Sequence, residues 1–184
     1  MPRLIHVNGP PGIGKSTLAR WYVDERSGVL NLDIDQLRPL IGGWRSDFAA
    51  SGALVRPLAT AMARTHLEAG HDVVMPQYLG RIDEIVKFAM AAQQSDATFV
   101  EIVLMDDRDA AIERFSIRGE GSDLPWHADV RQVVEENGGI ELLARMYDDL
   151  TAVMTERPHV RVVHTQHGLI DQAYADLVAA VDRD

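Results

Sequence analysis

Cysteine is absent from all 184 residues, which excludes disulfide frameworks, thiolate zinc sites, iron–sulfur clusters and cysteine nucleophiles together. No apolar run approaches the roughly 18 residues that a membrane-spanning helix needs. Lysine is nearly missing: Lys15 and Lys87 are the two in the chain, and arginine carries the rest of the positive charge. Acids outnumber bases, 28 Asp plus Glu against 18 Lys plus Arg, for a formal net charge of −10. That balance argues against a broad polyanion-gripping surface, which normally carries a basic stripe, and leaves room for a single basic pocket. Internal repeats, low-complexity tracts and Pro/Ser-rich linkers are missing too, so residues 1–184 read as one domain. The opening Met1-Pro2-Arg3 runs into a short apolar segment with nothing signal-like, so a cytoplasmic location is expected.

What is present is an alternation of short apolar runs with longer amphipathic stretches, the pattern of an α/β fold with a mostly parallel sheet. Strands are expected at 4–8, 29–33, 72–77, 98–105 and 160–164. Helices are expected at 15–25, 35–41, about 54–69, 81–94, 107–118, 140–156 and 170–181, where apolar residues recur at three- and four-residue spacing. Ile102-Val103-Leu104-Met105 is continuously apolar, as in a strand covered on both faces. The polar stretch 119–129, containing Gly119, Gly121 and Pro125, reads as a loop or lid.

After the first strand comes Gly9-Pro10-Pro11-Gly12-Ile13-Gly14-Lys15-Ser16-Thr17, which fits the phosphate-binding P-loop pattern G-x-x-x-x-G-K-[ST] between a strand and a helix. Glycines let the backbone turn tightly enough for consecutive N–H groups to face phosphate oxygens, and the following helix adds its N-terminal partial charge. The cradle is therefore Gly9, Gly12, Ile13 and Gly14, with Lys15 reaching the β- and γ-phosphates. Ser16 would give its hydroxyl to Mg²⁺, and Thr17 would cap the helix or touch the α-phosphate. Asn8, Asn31 and Asn137 are the asparagines, so the Asn-Lys-x-Asp segment by which GTPases read guanine is absent. The length suits a compact phosphotransferase using ATP.

The second strand leads into Asn31-Leu32-Asp33-Ile34-Asp35-Gln36-Leu37-Arg38. In an α/β sheet the carboxyl ends of the strands open on the ligand crevice, so these carboxylates should face the P-loop. Asp35 can take the proton of an acceptor hydroxyl as it attacks the γ-phosphate, and it can also simply N-cap a helix. Arg38, a helical turn on, can fix an anionic part of the acceptor.

With the P-loop and this Asp33-Ile34-Asp35-Gln36-Leu37-Arg38 segment, the first 45 or so residues resemble the small P-loop kinases that include chloramphenicol phosphotransferase, zeta toxins and polynucleotide kinases. The resemblance implies a five-stranded parallel sheet in the order 2-3-1-4-5 flanked by helices with a short lid. It also implies Asp35 as base, and Arg38 as a contact for an acceptor phosphate in the polynucleotide kinases. Lid arginines of related kinases lie where Arg114 and Arg118 fall here.

Arg114 and Arg118 stand at i, i+4 before the lid, a spacing that suits closure over a triphosphate, or a solvated face paired with Glu113 or Glu120. No acid ends the third strand, whose sequence runs Val73-Val74-Met75-Pro76-Gln77-Tyr78. Asp33 is thus the preferred metal partner beside Ser16, with Asp106 second. Trp44, Arg45, Gln77 and Tyr78 follow strand ends and are expected at the acceptor. In related kinases the turn after the last strand borders the adenine, so the resemblance places Thr165, Gln166 and His167 at the base of the nucleotide. His159, His164 and His167 lack the carboxylate or helical spacing of a metal site.

These readings converge on an ATP- and Mg²⁺-dependent transfer of the γ-phosphate to a hydroxyl of a small molecule, with nucleic acid and membrane disfavoured as partners. The alternatives are a polynucleotide or nucleotide kinase, and a regulatory module that binds or hydrolyses ATP without a separate acceptor. Oligomeric state is not legible.

Overall fold

In the computed structural model of the protein, residues 1–117, 132 and 134–183 are described. Strands β1 (Arg3–Asn8), β2 (Leu30–Asn31), β3 (Val73–Met75), β4 (Thr98–Met105) and β5 (Arg161–His164) form a parallel sheet in the order β2-β3-β1-β4-β5. Helices α1 (Lys15–Asp24), α2 (Ile34–Leu37), α3 (Phe48–Glu68), α4 (Ile82–Gln94), α5 (Arg108–Ile117), α6 (Gly139–Glu156) and α7 (Ile170–Val181) supply the crossovers that parallel pairing requires.

The two-residue period of β1 divides the interior. Ile5 and Val7 pack with Leu18 and Tyr22 of α1 and with Leu177 and Val181 of α7. Leu4 faces the opposite layer, with Val55, Ala59 and Leu67 of α3 and Ile85 and Phe88 of α4. Along β4, Val100, Ile102 and Leu104 join the first layer, while Val103 and Met105 meet Leu150 of α6. Both faces are covered, which is why these strands lack polar alternation.

Most boundaries shift by a residue or so and β3 is three residues shorter than expected, Val73–Met75 against 72–77; three other departures have a clear local cause. Strand β2 is two residues long because the chain turns at Asp33, which N-caps α2; Leu32 still donates to the Val74 carbonyl at 2.8 Å. The expected 35–41 helix is split into α2 and a 3₁₀ turn, Arg38–Leu40, because Pro39 has no amide hydrogen to continue the α-helical ladder. Helix α3 begins at Phe48, earlier than expected, because Asp47 accepts a capping bond from the Ala50 amide at 2.8 Å. Gly52 and Pro57 lie inside that helix and hide its start from propensity.

The P-loop follows β1, Asp33 follows β2, Gln77 follows β3, Asp106 follows β4 and Thr165 follows β5. All five therefore lie along the carboxyl edge of the sheet, where α/β folds bind ligands. Among the described residues, no helix is long and apolar enough to cross a membrane. Arg118 and the expected lid at 119–129 lie outside the described residues.

Candidate active site

The loop after β1 turns where side chains do not fit. A Cβ on Gly9, at φ +150°, would lie 2.7 Å from the Leu104 carbonyl oxygen and 2.9 Å from Cγ2 of Ile13. Gly12, at φ +82°, comes so close to α5 that a Cβ would lie 3.0 Å from Cα of Phe115. Gly14, also at positive φ, N-caps α1 with no side-chain hydrogen bond, and no acid lies in the first turn of α1. No carboxylate of the helix itself offsets the amide charge at this start, which favours anion binding. Lys15 reaches back over the loop, its Nζ donating to the carbonyls of Gly9 at 2.8 Å and Pro10 at 2.9 Å.

Sequence reasoning passed over Asn8 as a functional residue. Its buried amide donates from Nδ2 to the Leu79 carbonyl at 2.9 Å, while Oδ1 accepts from the amides of Gly9 at 2.9 Å and Leu79 at 3.0 Å. The side chain ties the first residue of the phosphate loop to the segment after β3. No motif signals it, because its partner is 71 residues away.

Asp33 is buried and holds the corner between β2 and α2. Its Oδ1 accepts from the Asp35 amide at 3.1 Å and its Oδ2 from Nε2 of Gln36 at 3.2 Å. The Ser16 hydroxyl lies close enough to the same carboxylate to favour its charged form. Burial, and then the charge of Asp35, raises the pKa of Asp33, while those hydrogen bonds act in the other direction. Asp35 is the more open of the two, and its Oδ1 lies 3.7 Å from Nη2 of Arg38. Arg38 is buried and donates to Oγ of Ser51 at 3.0 Å. Ser16, Asp33, Asp35 and Arg38 thus form one contiguous corner.

The four residues expected at the acceptor separate. Trp44 is buried and Arg45 is exposed, its guanidinium carbon 4.4 Å from the Trp44 ring centroid. The Gln77 carbonyl accepts from Nε2 of the fully buried His6 at 2.9 Å, and the Gln77 Oε1 is buried without a hydrogen-bond partner among the described residues. Tyr78 donates its hydroxyl to the Met146 carbonyl at 3.0 Å and packs with Val103, Met105 and Leu150. Burial raises its pKa. Its hydroxyl is therefore engaged with α6.

On the other side of the loop, a cavity of about 360 Å³ runs between the start of α1 and the turn after β5. Thr17, Arg114, Thr165, Gln166, His167 and Ile170 are among its lining residues. Thr165, Gln166 and His167 line it together, and Ile170 and Ala173, which the sequence does not single out, supply apolar wall. Nη1 of Arg114 donates to Oγ1 of Thr165 at 3.0 Å, and its Nη2 lies 3.2 Å from Oδ2 of Asp106. Asp106 also accepts from the Asp107 amide at 2.8 Å. Asp106 is therefore occupied at the start of α5 by Arg114 and the Asp107 amide. Among the described residues there is no cluster of three or more His, Asp or Glu fit to hold a metal.

A glycine-built phosphate loop at the head of the helix after the central strand, in a parallel sheet of order 2-3-1-4-5, defines a P-loop domain of the kinase-like kind. The chain belongs to the AAA domain family AAA_33, whose profile matches residues 4–143. Among curated proteins, no sequence matches this chain. The fold is similar to that of a Chloroflexus aurantiacus protein, with TM-score 0.68 and 18% identity over 98% of this chain and 94% of the other. It is similar to the tunicamycin resistance protein of Deinococcus radiodurans, with TM-score 0.63 and 13% identity over 100% and 98% of the two chains. A gluconokinase of Sinorhizobium meliloti gives TM-score 0.60 and 17% identity over 97% and 93%. At such identities these likenesses establish the fold.

Proposed function

We propose that this protein is a kinase that transfers the γ-phosphate of ATP to a hydroxyl of a small molecule. The observation that carries the reading is the shared corner of Ser16, Asp33, Asp35 and Arg38 beside the phosphate loop. In this reading the amides of residues 9–14 and Lys15 bind the triphosphate, Arg114 borders it, and Ile170 and Thr165–His167 flank the base. Ser16 and Asp33 are the residues that would hold Mg²⁺, whose chemistry is to neutralise phosphate charge. Asp35, carboxylate out and adjacent to a cation, accepts the proton of the acceptor hydroxyl. The acceptor oxygen bonds to the γ-phosphorus, the bond from that phosphorus to the β-phosphate oxygen breaks, and ADP leaves. Arg38 steadies the acceptor, with Trp44 and Gln77 as walls. The resemblance of the 31–38 segment to the chloramphenicol phosphotransferase and polynucleotide kinase group supports the same roles, and the kinase-like fold fits them.

The test is acceptor-dependent ADP release over a panel of hydroxylated compounds. Asp35→Asn keeps shape and is expected to lower turnover by about 10²- to 10⁴-fold with little change in ATP affinity, whereas Lys15→Ala should weaken ATP binding in calorimetry. Native turnover in Asp35→Asn would return Asp35 to a capping role. ADP release independent of every acceptor would favour the ATP-binding module.

A second reading, a polynucleotide kinase, draws on one observation: a groove of about 620 Å³ between α3 and α4 whose walls include Arg56, Arg64, Arg81 and Lys87. Each of these cations already lies within salt-bridge distance of an acid, Glu84, Glu68, Asp83 and Asp83 respectively. A phosphate track needs cations that release counterions on binding, so the small-molecule reading is the stronger. Efficient Asp35-dependent labelling of 5′-hydroxyl oligonucleotides would reverse that order.

A further inference from the structure

Asp106, the second candidate for a metal partner by sequence, commits its carboxylate elsewhere. Its Oδ2 lies 3.2 Å from Nη2 of Arg114, while Nη1 of the same arginine donates to Oγ1 of Thr165 at 3.0 Å. The side chains of Asp106 and Arg114 are each 11% exposed, and Thr165 is buried. The two holding groups stand just past the ends of adjacent strands. Strands β4 and β5 pair in parallel, and the Thr165 amide extends that pairing by donating to the Met105 carbonyl at 2.7 Å. The Asp106 carbonyl accepts from the Tyr147 hydroxyl of α6 at 2.9 Å, and Oδ1 of Asp106 accepts from the Asp107 amide at 2.8 Å. Both groups are thereby fixed to the sheet edge.

Arg114 itself comes from α5, whose next residue backs the phosphate loop: a Cβ on Gly12 would lie 3.0 Å from Cα of Phe115. Arg114 and Thr165 line the same cavity as Gly12, Gly14 and Thr17. Nε of Arg114 is buried with no hydrogen-bond partner among the described residues, so the guanidinium takes its direction from its two Nη atoms.

We propose that Asp106 and Thr165 are positioning residues for nucleotide binding: they hold the Arg114 guanidinium in the wall of the cavity, so that ATP meets a cation already in place. Asp106 then serves the nucleotide through Arg114 and not through a metal ion. The inference rests on the nucleotide assignment made above, and it goes beyond the family resemblance, which supplies Arg114 but nothing that holds it. A free arginine side chain samples many rotamers and loses that freedom on binding, whereas one held at both tips of its fork has lost it before the ligand arrives. A nearly buried ion pair is costly to desolvate and is a weak device for stability alone. At the wall of a cavity for a charged ligand, the same pair sets the direction of the cation.

Calorimetry of ADP binding to the full chain, once with Mg²⁺ and once with EDTA in its place, tests this. Asp106→Asn keeps an oxygen for the Asp107 amide but removes the charge that faces Arg114, so ADP affinity should fall about tenfold in both conditions. Thr165→Val keeps the branched shape and loses a neutral partner, so its affinity should fall about threefold. A loss confined to the Mg²⁺ arm would make Asp106 a metal partner and overturn the proposal. An Arg114→Met background separates positioning from a merely structural role. There Asp106→Asn should leave ADP affinity level or raise it, because no cation remains to be held and an unpaired carboxylate beside the cavity is removed. An equal loss in both backgrounds would mean that Asp106 only supports the fold, and the proposal falls. The Nε–Hε resonance of Arg114 in ¹⁵N-labelled protein gives an independent reading: Asp106→Asn should shift and broaden it before any ADP is added, and an unchanged resonance counts against the hold. If the native chain binds no ADP, the nucleotide reading fails and takes the proposal with it. If ADP binds in a Lys15-dependent way that Asp106→Asn and Thr165→Val leave unaltered, the proposal alone fails.

Discussion

Asn8 is a small side chain on which several backbone groups of the site depend. Three buried backbone groups, the amides of Gly9 and Leu79 and the Leu79 carbonyl, depend on one carboxamide. Asn8→Ala leaves all three without that partner, and a buried group so abandoned costs about 1–3 kcal/mol, with some recovered by relaxation. The expected loss is about 3 kcal/mol in urea unfolding, together with weaker ATP binding because Gly9 begins the phosphate cradle. A loss below about 1 kcal/mol would mean that water replaces the side chain. Asn8→Asp keeps both acceptor bonds, forfeits the donor to Leu79 and buries a charge, so it should not rescue the alanine variant. At this scale sequence speaks where chemistry is local. Gly9, Gly12, Gly14, Lys15, Ser16, Asp33 and Asp35 can be nominated from sequence because a short spacing relates them. Asn8 cannot, because its role depends on Leu79, a partner that only the sheet brings near.

Among elements, the phosphate loop is the one whose shape tolerates least change. Gly9→Ala combines a positive φ with a Cβ 2.7 Å from the backbone oxygen of Leu104, an atom of the central sheet that cannot swing aside. Such a substitution should destabilise by about 2 kcal/mol or more and abolish ATP binding. Gly42 offers the matched control: a Cβ there meets nothing within 4 Å and its φ is not in the left-handed range. Gly42→Ala should stay within about 0.5 kcal/mol of the native chain and leave ATP binding unchanged. Comparable losses in both variants would show that the loop adapts. The element order and both covered faces of the sheet could be read from apolar runs, since parallel strands buried on both sides are continuous. The length of β2 and the start of α3 could not. Asp33 leaves the strand to cap a helix, and Asp47 starts a helix that Gly52 and Pro57 disguise. In both cases a capping carboxylate outweighed propensity.

At the scale of the whole molecule, stability should carry an acid-sensitive contribution from a residue that touches no ligand. His6 lies fully buried in β1, its Nε2 donating to the Gln77 carbonyl at 2.9 Å, and its Nδ1 has no hydrogen-bond partner among the described residues. Burial lowers its pKa to about 4, and the charges of Lys15 and Arg157 push it the same way, with the bond to Gln77 opposing them. The unfolded chain, with an ordinary histidine pKa, therefore binds a proton between about pH 6.5 and about pH 4 that the folded chain refuses. Stability from this group is present above that window and is lost as pH falls through it. Asp33 and Glu101 are raised by burial and act in the opposite sense, gaining stability on acidification. The net pH dependence is thus a sum of opposed parts, and a variant is needed to isolate one. His6→Gln retains an amide donor for the Gln77 carbonyl but does not titrate. Urea unfolding at about pH 7.5 and about pH 5.5 should show the native chain losing about 1 kcal/mol relative to His6→Gln over that interval. If the two chains change in parallel, His6 is protonated in the folded state, and Glu101, its register neighbour on β4 whose Oε2 accepts from Arg157 at 2.7 Å, becomes the group that compensates it.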